Sequence, residues 1–156
     1  MEYTDILINI RKIVRALNLE SKRILKEFGV SIPQLLCLGY LSGQDGYKAT
    51  HKDVAAYLNL NSSTVTGIIT RLEKKGFVAR LPKMGDKRVT YVTLTSAGFK
   101  VLNSTPGLLH ELLTRKLPQL PVETLNQIDD SLNILVDCLG IEQTEASPVF
   151  TIEEPM

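Results

Sequence analysis

The stretch SSTVTGIITRLEKKGF, residues 62–77, has the pattern of one amphipathic helix that ends at a glycine, Gly76. Its apolar residues recur at the spacing i, i+3, i+4 and i+7, and they are Val65, Ile68, Ile69 and Leu72. At about 100° per residue these positions fall on one stripe, which predicts a buried back. The opposite side carries small, hydroxylated and cationic side chains. The question is which partner this exposed side of the helix contacts.

A second, shorter helix is predicted just before this one. Thr50 is a suitable N-cap for the segment HKDVAAYL, residues 51–58, and the turn NLN follows. Ser62 or Ser63 is then expected to cap the next helix. Two helices joined by so short a turn are typical of a helix-turn-helix, here at about residues 51–75.

A basic β-hairpin is predicted next, at about residues 77–94. The runs FVARL and RVTYVTL are rich in β-branched and aromatic residues, and PKMGDK lies between them as the tip. The cations of the hairpin are Arg80, Lys83, Lys87 and Arg88. They could merely protect an exposed strand edge. We favour contact with a DNA backbone or minor groove, which attracts arginine.

A helix-turn-helix followed by such a hairpin is a winged helix, expected at about residues 31–97. Long helical patterns flank it, at about 4–28 and 96–140, and Pro106 with Gly107 should interrupt the second near Ser104. The predicted fold class is therefore mainly α with a small β-hairpin wing (α+β). The acidic segment 141–156 is expected to be a mobile tail.

The charge of the chain is unevenly distributed. The net charge is only +1, but residues 48–100 hold ten cations and three anions, and residues 101–156 hold two cations and nine anions. A basic block of this kind indicates a surface for a polyanion. An ordinary solvated charged face is the alternative.

The front of the 62–75 helix has the properties of a surface that reads a DNA duplex. The major groove admits an α-helix, and short donors near a helix N-terminus suit phosphate. An ordinary threonine-rich surface helix would explain the pattern equally well in isolation, and it is the less favoured alternative once the preceding helix and the basic hairpin are included. The predicted DNA-binding residues of this helix are Ser62, Ser63, Thr64, Thr66, Gly67, Thr70, Arg71 and Lys74.

These residues resemble the MarR-type winged helix-turn-helix transcriptional regulators. The motifs that carry the resemblance are the pair Val65-Thr66, then Arg71-Leu72-Glu73, Lys75-Gly76, Asp86 with Arg88, and Leu94-Thr95 with Gly98. The segment SIPQLLCLGYL also looks like the second helix of that family. The resemblance covers residues 1 to about 140 as a single MarR-like domain, and most of its specificity lies in residues 50–98.

The resemblance implies a homodimer, formed by the helices at about 4–28 and 96–140, on a pseudo-palindromic operator of double-stranded DNA. It implies a ligand-responsive repressor in which Asp86 shapes the wing and Arg88 leads its DNA contacts. Two positions depart from the family pattern. Gly67 stands where relatives often have arginine or another polar residue, and Thr70 stands where Asp or Asn is usual. The operator sequence therefore cannot be transferred from relatives.

Regulation is predicted less sharply. By resemblance, a small anionic or aromatic effector could bind near Arg11, Arg15, Tyr40 and Tyr47, although packing or surface exposure is the favoured explanation for each of them. Cys37 and Cys138 lie among apolar residues, which predicts buried, inert thiols and makes redox sensing the weaker alternative. No cofactor and no metal site are expected, because the histidines stand 59 positions apart and no H-x-x-x-H or C-x-x-C occurs.

Other classes of function find less support. The sequence has no phosphate-binding loop, no G-x-S-x-G and no acid–base constellation, so an enzyme is not expected. A winged-helix interaction module that has lost DNA binding is the main alternative. No apolar run approaches the roughly 18 residues of a membrane span, the N-terminus lacks the pattern of a secretory signal, and the cysteine usage fits a reducing cytoplasm.

Overall fold

The structure is a computed structural model that describes residues 2–82 and 89–145. Its helices are α1 (Tyr3–Phe28), α2 (Ile32–Ser42), α3 (His51–Leu58), α4 (Ser62–Lys74), α5 (Ser96–Ser104), α6 (Leu109–Lys116) and α7 (Val122–Leu139). Its strands are β1 (Lys48–Thr50), β2 (Val78–Arg80) and β3 (Tyr91–Leu94), and short 3-10 helices lie at Asp45–Tyr47 and Leu117–Gln119. The order of elements confirms the predicted winged-helix fold class.

Most helix ends lie where their residues predict. Gly29 ends α1 in the left-handed conformation, with φ 68°, which glycine adopts without steric cost. The hydroxyls of Ser31, Thr50 and Thr95 each accept a hydrogen bond from the N–H group of the third residue of α2, α3 and α5, respectively. The predicted cap of α4 is wrong, because Asn61, not Ser62 or Ser63, is the N-cap and accepts from Thr64 N at 2.9 Å.

In the described part of the chain, the sheet has three antiparallel strands in the order β1-β3-β2. Lys48 pairs with Thr93, and Val78 pairs with Leu94. β2 and β3 are the predicted wing strands. β1 was not predicted, because a three-residue strand is too short to show alternation. It runs directly into α3, and His51 N donates to Thr90 O at 3.0 Å.

The described residues divide into two compact units, one that ends at Pro106 and one over Gly107–Glu145. The first contains the winged helix and its hydrophobic core. The wholly buried members of that core are Ile24, Val30, Cys37, Leu38, Leu41, Val54, Val65, Ile69, Leu72 and Val92. Burying each large aliphatic side chain contributes about 1.5–3 kcal/mol, so this core fixes the helix-turn-helix in place.

The second unit consists of α6, the adjoining 3-10 helix and α7. The break before α6 follows the predicted interruption, since α5 ends at Ser104. Several apolar side chains of α7 are exposed in the single chain, including Leu132 at 53% and Leu139 at 68%.

Similar exposed apolar residues occur on α1, such as Leu7 at 52% and Ile13 at 60%. Within residues 2–82 and 89–145, no single helix has the length and hydropathy to cross a membrane, and only α1 with α2, bent by 77°, meet those criteria as a pair.

Candidate nucleic-acid interface

Helix α4 has a buried back and an accessible front. Val65, Ile69 and Leu72 are wholly buried, and Ile68 is 5% exposed, as the periodicity predicts. The predicted DNA-facing residues lie on the other side. Gly67 and Thr70 are half-buried, and the exposed ones are Ser62, Ser63, Thr64, Thr66, Arg71 and Lys74. The structure thus places this predicted set together on one surface, which we call the α4 front.

The start of α4 is organised by Asn61. Its Oδ1 accepts from Thr64 N at 2.9 Å and from Ser63 Oγ at 2.8 Å. The side chain of Ser63 is thereby held at the first turn, where the positive end of the helix dipole favours phosphate. Because Asn61 is the cap, Ser62 and Ser63 are the first two residues of the helix, and their side chains lie on its accessible surface.

His51, at the start of α3, contacts the α4 front. Its Nε2 lies 2.9 Å from Thr66 Oγ1, and Thr66 Oγ1 donates to Ser62 O at 2.8 Å. A hydroxyl has one proton, so Thr66 must accept from His51, and the imidazole carries a proton on Nε2. From the sequence, metal binding is the only role considered for His51. The position of His51 directly after the Thr50 cap was the sequence signal that it lies beside α4.

Arg80 links the wing to α4. Its Nη2 donates to Thr70 Oγ1 at 3.2 Å, and its Nε lies 3.3 Å from Glu73 Oε2. The guanidinium therefore lies along α4 rather than at the hairpin tip. The Arg80–Glu73 pair is exposed, so it orients the Arg80 side chain more than it stabilises the fold. It also explains the polar residue at position 70, since the Thr70 hydroxyl accepts a bond from the wing.

An open cleft of about 440 Å³ lies between the start of α3, the start of α4 and the wing. It is lined by Thr50, His51, Lys52, Ser62, Thr66, Arg80, Val89 and Thr90. Partial burial lowers the pKa of His51 below its ordinary value of 6.5, and the nearby charge of Arg80 lowers it further. The cleft therefore combines two permanent cations, a neutral imidazole and several hydroxyls, which is a surface suited to phosphate.

The remaining wing residues lie outside the described part of the chain. They are Lys83, Asp86, Lys87 and Arg88, so their predicted roles stay predictions. The same holds for the part of the predicted tail beyond residue 145.

Among the described residues, no hydrogen bond or ring contact joins any two of the four predicted effector residues. Tyr40 stacks on Tyr57 with ring centroids 4.6 Å apart, and Tyr47 meets Phe99 edge-on at 4.9 Å. Arg11 and Arg15 are exposed on α1. Stacking and edge contacts of this kind account for both tyrosines as packing residues.

The two cysteines have different environments. Cys37 is wholly buried, and burial raises the pKa of its thiol to about 12, which makes it a poor nucleophile. Cys138 on α7 is exposed in the single chain, so the prediction that both thiols are buried is wrong for Cys138. Among residues 2–82 and 89–145, no group of three or more His, Cys, Asp or Glu could hold a metal ion.

Comparison with known proteins identifies the family. The model of the MarR family matches residues 30–90, which span α2, the helix-turn-helix and most of the wing. The HTH-type transcriptional regulator YfiV of Bacillus subtilis is 32% identical over 106 residues, 68% of this chain and 65% of the relative. Over residues 30–90 the chain matches the MarR family. This confirms the resemblance drawn from the motifs of the helix-turn-helix and wing.

A second relative is the homoprotocatechuate degradative operon repressor of Escherichia coli. It is 31% identical over 85 residues, 54% of this chain and 57% of the relative. The matches thus span 57% to 65% of the length of these two relatives. Both are named as regulators of transcription rather than as enzymes.

Solved structures agree with the fold. The MepR–DNA complex of Staphylococcus aureus superposes with a TM-score of 0.63 at 23% identity, covering 88% of this chain and 98% of MepR. Sco3205 of Streptomyces coelicolor, a MarR family regulator solved with DNA, gives a TM-score of 0.64 at 21% identity, with coverage of 94% and 98%. At such identities these likenesses concern the fold.

Proposed function

We propose that this MarR-type protein is a sequence-specific regulator of transcription that binds double-stranded DNA, and that it acts as a repressor by occupying a promoter. The observation that carries the proposal is the α4 front. A helix with a fully buried back presents hydroxyls and cations outward, beside a cleft that holds Lys52 and Arg80. That is the chemistry needed to dock a helix in the major groove and hold the flanking phosphates.

The relatives support the same conclusion. The E. coli relative is named as a repressor of an operon, and MepR and Sco3205 were both solved with DNA. Because MepR and Sco3205 share the fold of this chain, and the E. coli relative shares sequence with it, we assign the same general activity here. The operator remains specific to this chain, since Gly67 and Thr70 set its front apart from the usual family pattern.

We further propose that the protein is a homodimer. The exposed apolar side chains of α1 and α7 would each cost free energy in water, at about 25 cal/mol per Å² of apolar surface. A second copy would cover these faces, as the family resemblance implies. Two α4 helices would then read two half-sites about one helical turn apart. Sedimentation at several protein concentrations tests the assembly, and a monomer at all of them would contradict it.

Control by a small anionic or aromatic effector belongs to the proposal as well, with Arg11, Arg15, Tyr40 and Tyr47 as the predicted contacts. A regulator that occupies promoters works in the cytoplasm, and we place the protein there. The effector is sought by measuring release of DNA from the complex, and Arg15→Ala tests whether α1 takes part.

The central experiment is selection of bound sequences from random double-stranded DNA, followed by affinity measurement on the selected operator. With about eight phosphate contacts in the dimer, the slope of log affinity against log salt should be near −7. Arg71→Ala and Arg88→Ala should each weaken binding. Failure to enrich any sequence, or a flat response between 50 and 200 mM salt, would refute the proposal.

The main alternative is an interaction module that keeps the fold without binding DNA. It predicts that Arg71→Ala and Arg88→Ala leave DNA affinity unmoved while a protein partner is lost. The cation-lined cleft and the exposed hydroxyls of α4 favour the DNA-binding function instead.

A further inference from the structure

Lys75, the residue that follows α4, contacts the corner between α1 and α2. Its Nζ donates to Gly29 O at 2.6 Å and to Gln34 Oε1 at 3.3 Å. Both acceptors are more than 40 positions away in sequence, so the contact links the end of the reading helix to a different part of the fold.

The corner that receives Lys75 is itself well ordered by hydrogen bonds. Gln34 is only 2% exposed, its N donates to Ser31 Oγ at 3.3 Å, and its Oε1 accepts from Ser31 N at 3.2 Å. Gly29 caps the C-terminal end of α1, where the helix dipole concentrates negative charge. The Lys75 ammonium therefore meets two oxygens whose positions are set by the ends of two helices.

The neighbouring cation, Lys74, has a different position. Lys74 is exposed on the α4 front, whereas Lys75 is half-buried. Lys75 is the C-cap of α4 and continues its helical backbone conformation, so its side chain leaves the backbone about 100° away from that of Lys74. Of the two cations, only Lys74 belongs to the surface predicted to face DNA.

We propose that Lys75 is a positioning residue for DNA recognition, which sets the angle of α4 by tying its end to the α1–α2 corner and makes no phosphate contact itself. This inference rests on the proposed function. Since α1 also carries apolar surface assigned to the dimer, the tie connects the spacing of the two copies to the direction of each reading helix. Loss of the tie should reduce affinity and weaken discrimination between operators of different half-site spacing.

The test compares Lys75→Met with Lys74→Met, which remove the same charge from adjacent positions. Affinity for the selected operator is measured at several salt concentrations, and again on operators with one base pair added or removed between the half-sites. For Lys75→Met we expect affinity about five- to tenfold lower, an unchanged salt slope and poorer discrimination of spacing. For Lys74→Met we expect weaker binding, a slope reduced in magnitude by about 0.9 per copy and unchanged discrimination.

Three controls separate the possible outcomes. Lys75→Arg, whose guanidinium can donate to both oxygens, should restore most of the affinity and the discrimination. Thermal unfolding is measured for every variant, because a merely structural role would lower the unfolding temperature while leaving affinity well below it unchanged. If Lys75→Met does not fold, Lys75→Gln, which removes the charge but keeps an N–H donor, takes its place.

A salt slope that falls for Lys75→Met as it does for Lys74→Met would show that Lys75 contacts phosphate, and wild-type affinity and discrimination would show that it positions nothing. Either result overturns the inference and leaves the proposed function standing. Failure of the unmodified protein to bind any DNA would instead overturn the proposed function.

Discussion

The His51 imidazole and the Thr66 hydroxyl are joined by a hydrogen bond of 2.9 Å that connects the two helices of the helix-turn-helix. Since Thr66 Oγ1 also donates to Ser62 O, its proton is already used. Thr66 therefore has its methyl group and a remaining lone pair for DNA. A threonine methyl can contact the C5-methyl of thymine, so this bond would influence which base the front prefers.

Replacing His51 should reveal this role. His51→Leu removes the donor, so that only the bond to Ser62 O still holds the Thr66 hydroxyl, and we expect about fivefold weaker operator binding, the value of one hydrogen bond. His51→Gln, which places an N–H donor in a similar position, should lose less than about twofold. Fluorescence anisotropy with the selected operator measures both. Equal affinity for the two variants would mean that the bond does not orient Thr66.

The pH dependence of binding should follow from the same histidine. In the free protein the pKa of His51 is lowered, first by burial and then by the charge of Arg80. A phosphate in the cleft would favour the protonated imidazole and raise that pKa, so the complex would bind more protons than the free protein. Operator affinity should therefore rise as the pH falls towards the lowered pKa of His51 in the free protein.

The free protein should show the opposite trend in stability. The unfolded chain takes up a proton at the ordinary pKa of 6.5, and the folded chain does so only at lower pH. The contribution of His51 to the free energy of unfolding is thus full above 6.5 and declines below it. His51→Gln should flatten both trends relative to the wild type, and His110, present in both proteins, cancels in the comparison. Affinity that falls on acidification would contradict the assignment of a phosphate to the cleft.

Gly67→Ala should change stability and binding in opposite directions. A Cβ at position 67 would lie 3.7 Å from Arg71 Nη1, an ordinary contact, and alanine gains about 1 kcal/mol of helix propensity. The added methyl lies on the α4 front, where it should hinder close approach to DNA. We expect a higher unfolding temperature with operator affinity lower by about fivefold, or about 1 kcal/mol. Unchanged affinity would show that the helix backbone does not approach the duplex at this position.

Gly98→Ala should damage the fold. A Cβ there would collide with the Phe77 carbonyl and lie 2.7 Å from Leu94 Cδ1, because the start of α5 packs directly on the segment that leads into β2. Overpacking against backbone should cost about 3 kcal/mol. Gly39→Ala in α2 is the matched control, since a Cβ at that position would meet nothing within 4 Å. Urea unfolding measures both, and a stable Gly98→Ala would contradict the packing described.

The cysteines should differ in reactivity. With a pKa of about 12, Cys37 should resist iodoacetamide at pH 8 in the folded protein and react once urea exposes it. Cys138 should react in the folded single chain. Slower labelling of Cys138 at higher protein concentration would report that a second copy covers α7. Rapid labelling of folded Cys37 would contradict its burial.

Local patterns in the sequence predict much of this structure. Helical spacing identifies the buried back of α4, and Thr50 and Thr95 cap helices where a hydroxyl precedes an apolar period. Features that depend on distant residues escape such patterns. The bond from His51 to Thr66 spans 15 positions, and that from Lys75 to Gly29 spans 46. The cap of α4 could not be predicted from such patterns, because three adjacent residues, Asn61, Ser62 and Ser63, are all chemically suitable.

The unpredicted strand β1 has a mechanical consequence. It is hydrogen-bonded to wing strand β3, and it continues without a linker into α3. The wing therefore cannot move without moving the helix-turn-helix as well. The helix-turn-helix and the wing of each copy should therefore move together as one rigid body. A signal that releases the operator would act by changing the distance between the two rigid bodies, and the conformation of each would stay the same.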